Sequence, residues 1–287
     1  MAQTFTYLDF FKRFPDDDAC LEHLMHVRYG EQLDCPKCGK TGKFHRVRKR
    51  PVYQCAWCGH QVSPMAGTPF ERSHTPLQKW FYAMYLFSIT RHGVSGKELQ
   101  RQLGVTYKTA WRMGHEIRKY MGSVDGNPPL SGHVEADEAF IGGYKPRDAG
   151  PSNKTVVFGA VEREGRIFTR VIRNQARYSL EPVIIANILK GSIISTDEWR
   201  AYHFLPRAGY EHGRVNHAAK KWVNGEHHTN TIESFWAMLK RSIRGTHIHV
   251  SRKHLPKYLG EFEYRFNMRK QPATMFTRLV WSFTRAI

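Results

Sequence analysis

The chain has 287 residues, with 44 Lys and Arg against 25 Asp and Glu, a formal net charge of +19 and a sequence pI near 9.9. With 41% apolar and 13% aromatic residues it has the material for a buried core, which excludes wholesale disorder. It shows neither a run of about 18 apolar residues nor an N-terminal basic segment followed by an apolar stretch, so neither a membrane span nor a secretory signal is expected. A folded chain this basic is suited to a polyanion, most often a nucleic acid. The cations concentrate from Arg200 onward, as a phosphate-binding face requires; counterion release would make such binding steeply salt-dependent.

In chain order, an N-terminal helical segment is expected over 1–30 and a zinc ribbon over 31–66. Four of the five cysteines stand as Cys35-x2-Cys38 and Cys55-x2-Cys58. Two residues between thiolates form a tight knuckle, the intervening stretch suits a hairpin, and four sulfurs close a tetrahedron around one structural Zn2+. Gly39 and Gly59 follow each pair, where backbone amides must turn toward sulfur. Disulfides are the alternative, disfavoured in a reducing compartment. Cys20 lies outside the pattern, and His60 is set aside because four cysteines already fill the shell. The hairpin tip, 43–50, is dense in cations, with Arg48 and Arg50 as candidates for contact with a phosphate backbone.

A helix-turn-helix is expected over 74–124. Thr75-Pro76-Leu77-Gln78 reads as a helix start with Thr75 as N-cap, Pro76 at the first helical position and Gln78 completing a capping box. Ser95-Gly96-Lys97-Glu98 repeats that logic ahead of Leu99 and Leu103, Gly104 ends the short helix, and Thr106 opens a longer one carrying Ala110, Met113, Ile117 and Tyr120 at helical spacing. Short helix, glycine turn and longer helix make the helix-turn-helix outline. Its last helix would present Tyr107, Lys108, Arg112 and His115 to a DNA groove. A plain helical packing unit has the same periodicity.

Beyond Asn127-Pro128-Pro129 the pattern changes to strands at 133–141, 155–161 and 166–172, a helix near 180–189, a strand at 192–196 and further helices. The expected fold class is therefore α+β multidomain, with an α/β domain over 130–275 and a C-terminal tail over 276–287. Asp137 lies inside the first of these strands, Asp197 ends the later one, and Glu233 falls early in a helix that reaches Lys240 two turns on. Oxygen ligands held on a sheet and an abutting helix suit a pair of Mg2+ or Mn2+ ions. Such ions, about 3.5 to 4 Å apart, serve phosphodiester chemistry. Each acid could equally be a solvated or salt-bridged carboxylate. Glu135 shares a strand face with Asp137 and is a second candidate; Glu138 and Glu198 are expected to point away.

Asp137-Glu138 followed by Ile141-Gly142-Gly143, Asp197-Glu198 followed by Tyr202, and His228-Thr229-Asn230-Thr231-Ile232-Glu233 leading to Lys240 resemble the DDE-class insertion-sequence transposases of bacteria. With the ribbon in front, the chain looks like the ISXO2-like group, in which zinc-ribbon and helix-turn-helix modules precede the catalytic domain. The resemblance spans nearly the whole chain and is strongest in the ribbon cysteines and from Asn230 to Lys240. It implies a ribonuclease-H-like core binding two Mg2+ (or Mn2+) through Asp137, Asp197 and Glu233, with Lys240 beside them. Some members of the group carry Asn as the third residue, so Asn230 is the second choice. It further implies binding to terminal inverted repeats and target DNA, cleavage that frees 3′-hydroxyls and joins them to the target, a homodimer or larger assembly on paired ends, no membrane, and a bacterial cytoplasmic location at the nucleoid. Arg241 and Arg244, with Arg252, Lys253 and Lys257, would line the DNA path. A nuclease that does not join ends, or a DNA-binding regulator with a dead site, are the alternatives.

Overall fold

The structure, a computed structural model, describes residues 5–124, 126, 128–142, 154–215 and 225–285; Asn127 and Gly143 of the motifs above lie outside them. In chain order the elements are α1 (Tyr7–Arg13), α2 (Asp17–Tyr29), β1 (Phe44–Val47), β2 (Val52–Cys55), β3 (Gln61–Val62), α3 (Leu77–Ile89), α4 (Gly96–Leu103) and α5 (Tyr107–Met121). There follow β4 (His133–Ile141), β5 (Thr155–Glu162), β6 (Ile167–Val171), α6 (Arg177–Asn187), β7 (Ile193–Thr196), β8 (Glu211–Arg214), α7 (Asn230–Ser242), α8 (Leu255–Asn267) and α9 (Met275–Phe283). They form two compact units: Met1–Thr90 with Gly96–Val124 and Gln271–Ile287, and Arg91–Ser95 with Asp125–Lys270. No helix among the described residues is long and apolar enough to cross a membrane.

In the first unit, local signals set the short helices. Thr6 and Asp9 form a capping box on α1, Asp16 accepts from Ala19 N at 2.8 Å to open α2, and Thr106 accepts from Thr109 N at 3.3 Å to open α5. The start of α3 differs from the expectation. The helix begins at Leu77, after Pro76, with no local side-chain cap. Its cap comes from α2: Asp17 Oδ1 accepts from Gln78 N at 2.8 Å, while Gln78 Nε2 donates to Phe14 O and Pro15 O at 2.8 and 2.7 Å. A carboxylate from another helix thus replaces the Thr75 hydroxyl. The segment expected as a tail carries α9, whose Phe276 and Phe283 are buried. Phe283 meets Phe70 and Tyr120 at ring-centroid distances of 5.4 and 4.1 Å, and Phe276 meets Phe14 at 5.6 Å. Aromatic burial of this density is the main source of cohesion for the helices of this unit.

The second unit is a five-stranded sheet in the order β6-β5-β4-β7-β8. Strands β4, β5 and β6 form an antiparallel meander; β7 lies parallel to β4 and β8 parallel to β7. Period two distributes the sheet residues between two cores. Val134, Ala136, Phe158 and Ala160 face one way, with Leu180 and Ile184 of α6. Ala139, Ile141, Val157 and Val161 face the other, with Ile232, Trp236 and Leu239 of α7 and Leu259 and Phe262 of α8. Strand β8, short and polar in sequence, is an element the periodicity did not signal.

Gly159 stands opposite Asp137 across the β4–β5 ladder. A Cβ there would lie 2.4 Å from Trp236 Cζ2, so the absence of a side chain lets the indole of α7 lie directly on the sheet. Gly159→Ala is expected to push α7 outward and cost about 1–3 kcal/mol, read as a lowered midpoint in urea denaturation; an unchanged midpoint would contradict this packing.

Candidate active site and metal centre

In the ribbon, β1, β2 and β3 form an antiparallel sheet, and the knuckles at its base bring the four sulfurs to within 4.8 Å of one another. Cys35 Sγ lies 3.5 Å from Cys58 Sγ, and Cys38 Sγ 3.9 Å from Cys55 Sγ. A tetrahedron with Zn–S bonds of about 2.3 Å has edges of about 3.8 Å, whereas a disulfide would need about 2 Å. The donor set and its spacing therefore fit zinc. Gly39 and Gly59, at φ 68° and 72°, turn the chain after each pair, and Gly39 N and Gly59 N donate to Cys35 O and Cys55 O. Burial opposes ionisation of Cys35, but backbone N–H groups of Cys38 and Lys37 and the neighbouring sulfurs prevail and bring its thiol down to about 6. Cys20 is buried on α2 and its thiol is pushed above its usual value.

In the second unit Asp137 sits on the α7 face of β4, Asp197 directly follows β7, and Glu233 lies in the first turn of α7. Their proximity is registered by Asp137. Burial raises its carboxyl to about 6; the Glu138 backbone N–H opposes the rise, and the charges of Asp197 and Glu233 add to it. The Trp236 indole N–H is buried near Asp137, with no partner in hydrogen-bonding geometry among the described residues. Asp197 Oδ1 accepts from Trp199 N at 3.0 Å, and Glu233 Oε1 from Thr229 Oγ1 at 2.8 Å. Among the described residues, only the cysteines form a group of three or more His, Cys, Asp or Glu side chains placed to hold a metal ion; the three carboxylates do not form such a group. Asn230 is the first residue of α7 and is exposed.

Residues 129–267 match the family model of the ISXO2-like transposase domain, and residues 15–61 match the transposase zinc-ribbon domain. The chain belongs to the ISXO2-like transposases. An uncharacterised protein in transposable element ISH50 of Halobacterium salinarum is 28% identical over 286 residues, covering 91% of this chain and 94% of the relative. An uncharacterised transposase-like protein of Haemophilus influenzae is 30% identical over 102 residues, which is 36% of this chain and 81% of that one. Among solved structures, a pre-cleavage Mos1 transpososome matches with a TM-score of 0.27 and 13% identity over 72% of this chain and 79% of its own, a likeness too slight to carry an argument.

Two glutamates of this transposase take roles that the sequence pattern left open. Glu135, on the same strand face as Asp137, is fully buried. Its carboxylate accepts from Thr231 N at 2.8 Å, Thr231 Oγ1 at 2.9 Å and Ile232 N at 3.2 Å, which satisfies the free N–H groups that open α7. His228 Nδ1 lies 3.0 Å away and Arg163 Nε 3.6 Å away. Glu135 is thus a strut that fixes the turn bearing Glu233 against β4. Glu138 projects to the opposite face, as period two requires, yet it remains within the field of the acids. Burial raises its carboxyl to about 7, against the hydrogen bond from Tyr202 Oη at 2.6 Å and with the help of the charges of Asp137 and Asp197. The adjacent acidic pair was the sequence signal; the buried tyrosine 64 residues away was not visible as its partner.

The cations distribute between the units. In the second, Lys240, Arg241 and Arg244 are exposed along the C-terminal half of α7 and the π-helical turn Ile243–His247 that follows it. In the first, Lys108, Arg112 and Tyr107 are exposed on α5, but His115 is buried and packs on Trp111 at 3.9 Å; it is therefore withdrawn from the set facing a groove. Arg48 and Arg50 are exposed at the ribbon tip, where Arg46 bonds to Arg50 O and pairs with Asp18 of α2 at 2.6 Å.

Glu135→Ala is expected to destabilise by about 3 kcal/mol, leaving buried donors and cations without their acceptor, and Glu135→Gln by clearly less; equal melting of all three chains would remove the strut. Because folding raises the Asp137 pKa, the charged carboxylate costs stability above about 6, and the cost fades as the pH falls through that value. Asp137→Asn should therefore stabilise the chain at pH 8 in chelator by roughly 1–2 kcal/mol, with about a third of that gain left at pH 4.5, as read by denaturation at the two pH values. Stripping zinc, or Cys35→Ser, should unfold the ribbon; metal analysis showing no bound zinc in the folded chain would contradict the centre.

Proposed function

We propose that the chain is a DNA transposase that binds transposon terminal inverted repeats, cleaves to free 3′-hydroxyl ends and joins them to target DNA. The observation that carries this reading is the acidic centre: Asp137, Asp197 and Glu233 come from a central strand, the end of its parallel neighbour and one abutting helix, and the charges of Asp197 and Glu233 bear on the partly buried Asp137. The antiparallel meander followed by a parallel strand, with helices on both faces, supports a ribonuclease-H-like core. The three carboxylates, two of which act on Asp137, offer the hard oxygen donors that two Mg2+ or Mn2+ ions take. Such ions, when bound, activate a water or 3′-hydroxyl and stabilise the leaving oxygen. Glu233 rather than Asn230 is taken as the third residue, since its charge reaches Asp137.

The remaining roles fall to the chain's own side chains. Lys240, seven residues after Glu233 on α7, would hold a phosphate of the DNA, with Arg241 and Arg244 along its path. Helices α3 to α5 would act as a helix-turn-helix, with Lys108 and Arg112 on DNA, and Arg48 and Arg50 of the ribbon would add phosphate contacts. Joining two ends calls for a homodimer or larger assembly, acting in the bacterial cytoplasm at the nucleoid.

The test is to incubate the protein with a labelled transposon end, plasmid target and Mg2+. Joined products are expected. Hydrolysis without joining would replace the transposase with a nuclease, and binding without cleavage would replace it with a regulator. Asp197→Ala should abolish cleavage and leave end binding nearly intact; full activity in that variant would show the acids to be misassigned.

A further inference from the structure

A cavity of about 730 Å³ opens in the second unit where β4 ends and α7 runs into the π-helical turn, lined by Phe140, Ile243, Ile248, Lys154, Lys240 and Arg244 among others. It is the size of a small-ligand site, and its wall is unusual for a protein surface. Phe140 is 46% exposed and Ile248 82% exposed, two large apolar side chains beside three cations. Ile248 is also held in a conformation that a β-branched residue avoids, with φ 64° and ψ −57°. His249 N donates to His247 O at 2.6 Å, which closes the strained form of a γ-turn with Ile248 at its tip. Glycine would occupy this position at far less cost, so the turn holds strain at an exposed isoleucine.

Position gives the cavity its meaning. Phe140 comes three residues after Asp137 on β4, about 10 Å along the strand, and Lys240 seven residues after Glu233 on α7, about 10 Å along the helix. Successive phosphates of one strand lie farther apart than the 3.4 Å rise along the duplex axis, so both stand roughly one to two nucleotides from a phosphate at the acidic centre. An apolar slot with cations on its rim is complementary to a nucleobase that has left its stack while its phosphates stay outside. Ile248 is placed as the wedge that fills the gap.

We propose that this cavity receives one base turned out of the transposon end, about one to two nucleotides from the cleaved phosphate, with Ile248 as the wedge, Phe140 as the apolar wall, and Lys240 and Arg244 on the flanking phosphates. The inference rests on the transposase reading, but the two fail separately. The probe is a 40-base-pair duplex of the element's own end, carrying 2-aminopurine singly at each position around the cleavage site, mixed with the full chain in Ca2+ for fluorescence and in Mg2+ for cleavage. Wild type should brighten one position several-fold, and Phe140→Ala and Ile248→Ala should remove the rise and slow cleavage about tenfold. An abasic site at that position should restore the Ile248→Ala rate.

Ile248→Gly guards against misfolding, because it relieves the turn: it should melt at the same or a higher temperature and still lose the fluorescence. Wild-type cleavage with no bright position, or Ile248→Gly with an undiminished rise, overturns the base pocket. A change of oligomeric state in Ile248→Gly with fluorescence unchanged would overturn it in favour of a contact between copies. Brightening without cleavage keeps the pocket and overturns the enzyme.

Discussion

The hold of Glu135 on the first turn of α7 is the contact on which the geometry of the second unit turns. A buried carboxylate two residues from Asp137 on the central strand accepts from consecutive backbone N–H groups at the mouth of the helix that carries Glu233. Strand and helix are thereby joined near the point where the charge of Glu233 reaches Asp137. Packing alone would leave that end of α7 adjustable, since apolar contacts are not directional; hydrogen bonds to a charged acceptor are directional and strong. Ser195, two residues before Asp197, reinforces the arrangement by bonding His227 Nδ1 at 2.9 Å and His133 Nε2 at 2.8 Å, tying the approach to α7 onto β7.

What this frame assembles is unfavourable by itself. Asp137 and Glu138 both have raised carboxyl pKa values because they are partly withdrawn from water next to like charges. A chain with a formal charge of +19 has cations in abundance, yet the charges that act on Asp137 are those of the acids Asp197 and Glu233. Strain of that sort is tolerated where structure elsewhere over-determines it, here by a sheet packed on both faces. The same balance recurs at Ile248, where a left-handed turn exposes an apolar side chain among lysines and arginines.

The first unit solves a different problem. Its ribbon has short strands and little apolar mass, and sulfur geometry suited to one metal substitutes for a core. Its helices instead share a cluster of aromatic rings completed by α9 from the far end of the sequence. Arg46 and Arg28 tie the ribbon to the helices, through Asp18 and through Pro64 O at 3.0 Å.

The sequence by itself determined whatever is written in local period and spacing: the cysteine knuckles, the strand at 133–141, the Thr106 cap and the positions of the three acids along strand and helix. These follow from short-range rules, because thiolate spacing, period two and a capping hydroxyl act within a few residues. The tertiary structure decided which side chains meet. It gave α3 its cap from Asp17, made Glu135 a strut, brought Tyr202 to Glu138, buried His115 and returned α9 to the first unit. Apart from the burial of His115, each of these depends on a partner tens to hundreds of residues away, and no local periodicity carries that distance; only the packing of whole elements, with their buried polar groups obliged to find donors and acceptors, could choose among the partners available.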